Sequence, residues 1–241
     1  EIDNAGLYAF GDDFGQYTVA DQAAVDDYLS AADVAAKYVE SDGKTLAGLK
    51  EQIGKLNAAT DAMQTAVTLN MPKAGDQFYL VSKSYDKYLI PRAKTNWTIQ
   101  APQAAKCIFN FDGQFITSDY TGLTFGYDAK TGLATAVKAN AGNTAVSLVP
   151  SQLGTVGCYN ILIGEGTLIT TGTTGTMLEV LGKANADADL QLVRYVTEEE
   201  DAIQVVEAST DEAAAYNLVG QKVGANYKGV VIRGGKKTIV K

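Results

Sequence analysis

The spacing of apolar positions changes three times along the chain, and each change marks a segment. Residues 1–19 hold short apolar and aromatic pieces split by Gly and Asp, which predicts one or two short strands or an irregular packed arm. Over 21–39, Val25, Tyr28, Leu29, Ala32, Ala36 and Val39 recur at helical spacing, until the turn residues from Glu40 to Lys44 end the pattern. Thr45 then stands where an N-cap is expected. Leu46, Leu49, Ile53, Leu56, Thr60, Met63 and Val67 follow at alternating steps of three and four, one stripe on a helix of about six turns. Pro72 lies beyond its end. The two segments predict an antiparallel helical hairpin at about 21–39 and 45–68, with Leu49, Ile53, Leu56 and Met63 buried. Two helices bury too little surface alone, so the hairpin must lean on the arm or on the next domain.

From Gly75 to about Thr197 the alternation takes a period of two, with a weak repeat of roughly forty residues. One unit opens at 77–90 and closes at 106–112, a second opens at 114–128 and closes at 144–151, and a third opens at 158–171 and closes at 189–196. Each reads as strand, tight polar turn, strand, variable loop and short apolar closing strand. Three such four-strand units are what a β-trefoil requires, a barrel with few free edges. Residues 198–202 are a charged linker. Val230 to Arg233, Gly234-Gly235 and Lys236 to Val240 then read as a hairpin around a two-residue turn, forming a small sheet with 202–206 and 216–223. The expected fold is therefore mainly β with a helical N-terminal part. An arm and helical hairpin (1–72) precede a β-trefoil (73–197) and a small C-terminal β domain (198–241).

Composition narrows the function classes. Twenty Lys and Arg against 28 Asp and Glu leave a net charge of −8, which argues against nucleic acid and against anionic membranes, and no run is long enough to span a bilayer. Thirteen Tyr, seven Phe and 24 Gly suit twisted antiparallel sheets. Glu1 in place of Met gives the expectation that an N-terminal segment has been removed, by a signal peptidase or by design. Cys107 and Cys158 are too few for a structural zinc site, and no His is present to complete one. Cys107 shares a strand face with Phe109 and Phe111, whereas Cys158 alternates against Tyr159, Ile161 and Ile163, so both thiols are expected to stay reduced.

Two stretches carry a family resemblance. Residues 215–241, with Tyr216-Asn217-Leu218, Gly220-Gln221, Lys228-Gly229 and Gly235-Lys236-Lys237, are similar to a reduced form of the C-terminal sorting domain of exported Bacteroidetes proteins; Val231 stands where an aromatic is common there. The span from Gly75 to Thr197 resembles the ricin-type trefoil domains of gut Bacteroidetes surface proteins, without their Gln-x-Trp signature in the closing strands. The resemblance implies an exported protein at the cell surface or outside it, with a lectin-like fold.

The absence of His removes Ser-His-Asp and Cys-His catalysis and His-held metals. A carboxylate-pair glycoside hydrolase stands as a third choice, because it needs only two acids. The glycines from Gly164 to Gly175 make no phosphate loop, since no Gly-Lys-Thr and no helix follow. Each unit carries an acidic turn after its first strand: Tyr85-Asp86, Asp119-Tyr120 and Glu165. In ricin-like trefoils, the resemblance implies, a carboxylate here holds sugar hydroxyls beside a stacking ring. The same residues also make ordinary hairpin turns. Trp97, the single tryptophan, reads either as an exposed stacking platform or as a cap on the core. The leading expectation is a binding module for carbohydrate, monomeric and with no cofactor, metal or catalytic residue. Its site would draw on Trp97, Tyr85, Asp86, Tyr88, Asp119, Tyr120, Tyr127 and Glu165. The alternative is a structural or adhesive spacer that meets a surface protein and holds no small molecule.

Overall fold

The structure is a computed structural model that describes residues 2–92, 96–103, 106–139, 141–173, 176–196, 215–217, 222–223, 229–233 and 236–240. Its chain divides into two compact units, Glu1–Tyr195 and Val196–Lys241.

Side-chain caps set the start of both long helices. After a single turn, α1 (Ile2–Ala5), and a short strand, β1 (Tyr17–Val19), the Asp21 carboxylate accepts from the Ala23 N–H and starts α2 (Gln22–Glu40). The Thr45 hydroxyl accepts from the Gly48 N–H at 3.1 Å and starts α3 (Leu46–Ala66). The Tyr38 phenol accepts from the Thr45 N–H at 3.0 Å and fills the space beside Gly48, where a Cβ would lie 1.9 Å from its oxygen. The antiparallel hairpin is therefore present. It buries Val25, Tyr28, Ala32 and Ala35 against Leu56 and Met63.

The predicted stripe on α3 is corrected in its first half. Ile53 is 58% exposed and Leu46 70%, and Leu49 is half-buried; the buried row is Leu56, Thr60, Met63 and Ala66. At about 100° per residue, Ile53 sits roughly 60° around the helix from Leu56. The buried row on α2 passes from Val25 and Tyr28 to the small Ala32 and Ala35, and this flank of α3 stays in water.

Beyond α3, β2 (Val67–Leu69) pairs antiparallel with β1, Tyr17 opposite Leu69. Twelve strands then form one antiparallel sheet in three runs of four. The first run is β3 (Gln77–Ser82), β4 (Lys87–Arg92), β5 (Asn96–Gln100) and β6 (Ile108–Phe111). The second is β7 (Ile116–Ser118), β8 (Leu123–Asp128), β9 (Leu133–Lys138) and β10 (Val146–Pro150). The third is β11 (Tyr159–Ile163), β12 (Gly166–Ile169), β13 (Glu179–Leu181) and β14 (Leu190–Arg194).

Pairings recur from run to run. The first strand pairs the second in each (β3–β4, β7–β8, β11–β12), and the second pairs the third. First and fourth strands pair in the outer runs (β3–β6, β11–β14), and the Val146 N–H to the Gln114 carbonyl, 2.9 Å, joins the ends of the middle run. Contacts β6–β7, β10–β11 and β14–β3 join one run to the next and return to the start. The protein is thus mainly β, with two long helices near its N-terminus and a large antiparallel sheet.

Inward residues of these strands, Phe78, Leu80, Leu89, Phe109, Ile161 and Leu168 among them, make one core. Phe14 of the arm and Leu69 of β2 belong to the same core. The Gly15 N–H donates to the Tyr159 phenol oxygen at 2.8 Å, and that phenol donates to the Asn70 carbonyl at 2.6 Å. A Cβ at Gly157, whose φ is +69°, would stand 2.8 Å from the Gly15 carbonyl, so the arm and the loop before β11 approach through two glycines. Arg194 holds the arm from outside. It donates to Asp13 at 2.9 Å and to Asp76 at 3.2 Å, with its guanidinium 4.1 Å from the Phe14 ring centre.

Cys107 and Cys158 are both free and buried. Burial, with the nearby Asp189 carboxylate second, pushes the Cys158 thiol up to about 11, and burial raises Cys107 as well. No described helix is long and apolar enough to cross a membrane.

In the second unit, β15 (Ala215–Asn217), β16 (Lys222–Val223), β17 (Gly229–Arg233) and β18 (Lys236–Val240) form a sheet in the order β16-β15-β17-β18. Arg233 faces Lys236, which leaves two residues for the turn. Gly234, Gly235, the linker 198–202 and the strand expected at 202–206 lie outside the described residues.

Candidate functional site

The turn between β3 and β4 aims an aromatic ring at a distant loop. The Asp86 N–H donates to the Ser82 carbonyl at 2.9 Å, and Asp86 takes φ +49°, a left-handed conformation that Asp adopts more readily than most residues. Tyr85 leaves this turn half-buried and packs against the core. Its ring lies where a Cβ on Gly172 would come within 2.7 Å, so the loop after β12 needs glycine there to admit it. Interaction with the Asp187 side chain, the largest cause, raises the Tyr85 phenol's pKa together with desolvation and the Asp187 charge, while the Gly172 backbone opposes them.

Around this ring lies a cleft of about 340 Å³. Tyr85, Ile169 and Leu181 give it apolar walls; Glu179, Asn185 and Asp187 give it polar ones, with the Thr170, Thr171 and Thr176 residues between. Its frame is fixed by short bonds. The Asn185 side chain accepts from the Asp187 N–H at 3.0 Å and caps a 3-10 turn, Ala186–Ala188. The Thr170 hydroxyl donates to the Asp187 carbonyl at 2.7 Å and meets the Ser82 hydroxyl at 2.7 Å. Lys87 Nζ donates to the Gly172 carbonyl at 2.9 Å. A tyrosine ring beside two carboxylates and an amide can cover the C–H face of a small polar ligand and accept its hydrogen bonds.

The other residues expected at a site are scattered. Asp86 is exposed and shapes the Tyr85 turn. Tyr88 is half-buried, edge-on to Tyr79 at 5.8 Å. Asp119 is exposed and accepts from Asn110 Nδ2 at 3.1 Å. Tyr120 is 57% exposed, with Lys106 Nζ 5.6 Å from its ring centre. Tyr127 is half-buried and covers Gly164, where a Cβ would lie 2.3 Å from the ring; Glu165 next to it is exposed.

Trp97 requires a correction. The reading as an exposed platform fails, because its side chain is 0% exposed. The indole stacks on Phe125 at 4.4 Å and 19°, approaches Phe109 at 5.6 Å, and donates its N–H to the Thr135 carbonyl at 2.8 Å. The ring has both an apolar stack and a satisfied donor inside the core of the large sheet, so the core holds it more favourably than water would.

Of the eight residues expected at a site, Tyr85 alone lines the cleft. Its partners Asp187, Asn185 and Glu179 escape a reading by turns, because they come from the third run and not from the unit that carries Tyr85. Asn185-Ala186-Asp187 before the closing strand, with its Asn cap signal, was the available clue. Among the described residues, no group of three or more His, Cys, Asp or Glu is placed to hold a metal.

No family model matches this chain, and no curated protein matches it. Among solved structures, it is similar to the GlcNAcα1-4Gal-releasing endo-β-galactosidase from Clostridium perfringens, with 13% identity and a TM-score of 0.42 over 50% of this chain and 33% of that one. The chain thus spans about a third of that enzyme's length. It is also similar to SeviL bound to asialo-GM1 saccharide, with 12% identity and a TM-score of 0.42 over 51% of this chain and 100% of that one.

Proposed function

We propose that this chain is a carbohydrate-binding module that holds its ligand without turning it over, and that the Tyr85 cleft is its site. One observation carries the reading: a half-buried tyrosine ring, two carboxylates and an amide line one small cleft. A sugar presents an apolar C–H face and a rim of hydroxyls, and recognition needs a ring for the first and fixed acceptors for the second. The three runs are read as a β-trefoil, a reading supported by strand pairings that recur from run to run. Export to the cell surface, with residues 215–241 as a sorting-type tail, is proposed on the sequence resemblance of that tail. The module is proposed to act as a monomer.

Affinity is modest, since a single open cleft buries little area and sugar hydroxyls lose their water on binding. A glycan array with the full chain identifies the ligand, and titration calorimetry with the best glycan tests the cleft. Tyr85→Ala and Asp187→Ala are expected to weaken binding about tenfold or more, the loss of roughly one good contact, with an unchanged circular dichroism spectrum. Asp119→Ala and Glu165→Ala leave binding as it was, and no sugar is released on long incubation. Full affinity in both cleft variants would move the site elsewhere, and an array without a hit would favour the spacer.

A further inference from the structure

We infer that the Tyr85 cleft selects a sugar bearing a free amino group and turns away acidic sugars. The inference rests on reading the cleft as a sugar site, and its basis is the balance of donors and acceptors left on the walls. The wall hydroxyls are engaged only in part. Thr170 donates to the Asp187 carbonyl, whereas the Thr171 hydroxyl accepts from the Thr173 N–H at 3.2 Å and keeps its own proton. Asn185 uses its oxygen on the Asp187 N–H, which leaves its NH2 as a donor.

The acceptors are less occupied. Asp187 faces the Tyr85 phenol, whose pKa it raises, and a carboxylate offers about four lone-pair sites. Glu179 is exposed at the start of β13 and makes no side-chain hydrogen bond or ion pair among the described residues. Both groups are carboxylates, and among the described residues no Lys or Arg lines the cleft. Lys87 stands at the margin with its ammonium on the Gly172 carbonyl. The walls thus keep donors as well as acceptors, and it is their negative charge that favours a ligand group bringing a cation. An ammonium donates three and is attracted by both carboxylates, and also by the face of the Tyr85 ring where it reaches it. A carboxylated or sulfated sugar brings acceptors to acceptors and negative charge to negative charge. An N-acetyl group removes the charge and widens the substituent in a cleft already at the small end of ligand sites.

Four probes separate the outcomes at about pH 6, where a sugar amine is protonated: a glucosamine trimer, its N-acetylated counterpart, a galacturonate trimer and Nα-acetyl-lysine amide. The expected result is a glucosamine trimer bound about fivefold tighter than the acetylated one, the size of an exposed ion pair. The galacturonate shows no saturable binding, and the lysine amide binds far more weakly than the amino sugar. Glu179→Gln narrows the preference towards parity, and added salt does the same. Equal binding of the acetylated trimer, or galacturonate binding that Tyr85→Ala abolishes, would overturn the charge selection while leaving the cleft a sugar site. Lysine amide binding as tightly as the trimer would overturn the assignment to a sugar. Binding of none of the four overturns this inference, and the glycan array then decides the broader reading independently.

Discussion

The indole of Trp97 lies flat on Phe125 and spends its N–H on the Thr135 carbonyl, so its removal empties the middle of the core. Trp97→Ala is expected to cost about 3–5 kcal/mol in urea unfolding, the range for large aromatics cut to alanine. Native emission of this single tryptophan is expected to be blue-shifted and resistant to acrylamide quenching; an emission like that of the unfolded chain would contradict the burial. Tyr159 makes a second prediction. Burial, the largest cause, pushes its phenol from the usual 10 up to about 12. Below pH 10 both folded and unfolded chains keep this proton, and the stabilisation is complete. As the pH rises from 10 towards 12 the unfolded chain gives the proton up first, and about 3 kcal/mol of stability is lost. Cys158 has the same sign between 9 and about 11. Urea midpoints should therefore hold up to about pH 9 and fall above it, and Tyr159→Phe should flatten the part of the fall above 10.

Helix α3 separates what a spacing pattern tells from what it leaves out. Ile53→Ala is expected to change stability by no more than about 0.5 kcal/mol, as at an exposed site, whereas Met63→Ala should cost about 2–5 kcal/mol. The reverse order in chemical denaturation would restore the stripe read from the sequence. That α2 and α3 are helices, that Glu40 to Lys44 separates them and that Thr45 caps the second were legible in residue order, because caps and periodicity are local. The side that Leu56, Thr60 and Met63 share was legible too, but how far along α3 the burial runs was not, because that depends on what α2 presents. The three β runs were legible for the same local reason, each showing a strand, a polar turn and a strand in sequence. Trp97 was not, since the polar neighbours that made it look exposed say nothing of the Phe125 ring that covers it.

At the scale of the molecule, distance along the chain decided what could be read. The core of the large sheet includes Phe14 and Leu69, which come from the arm and from β2, and the lock between Gly15, Tyr159 and Asn70 spans well over a hundred residues. The candidate site has the same character. Tyr85 was legible as an aromatic beside an acidic turn, but Asp187 reaches it only because β14 pairs with β3 and brings the last run back to the first. The central claim is that this meeting point is where a glycan sits. Amide chemical shifts of the isotopically labelled full chain, followed as the tightest-binding array glycan is added, test it most directly. The account predicts saturable shifts at Gly172, Thr176, Asn185 and Asp187, with Asp119, Tyr120 and Glu165 unmoved. Shifts confined to the latter group, or no shift with any glycan, would contradict it.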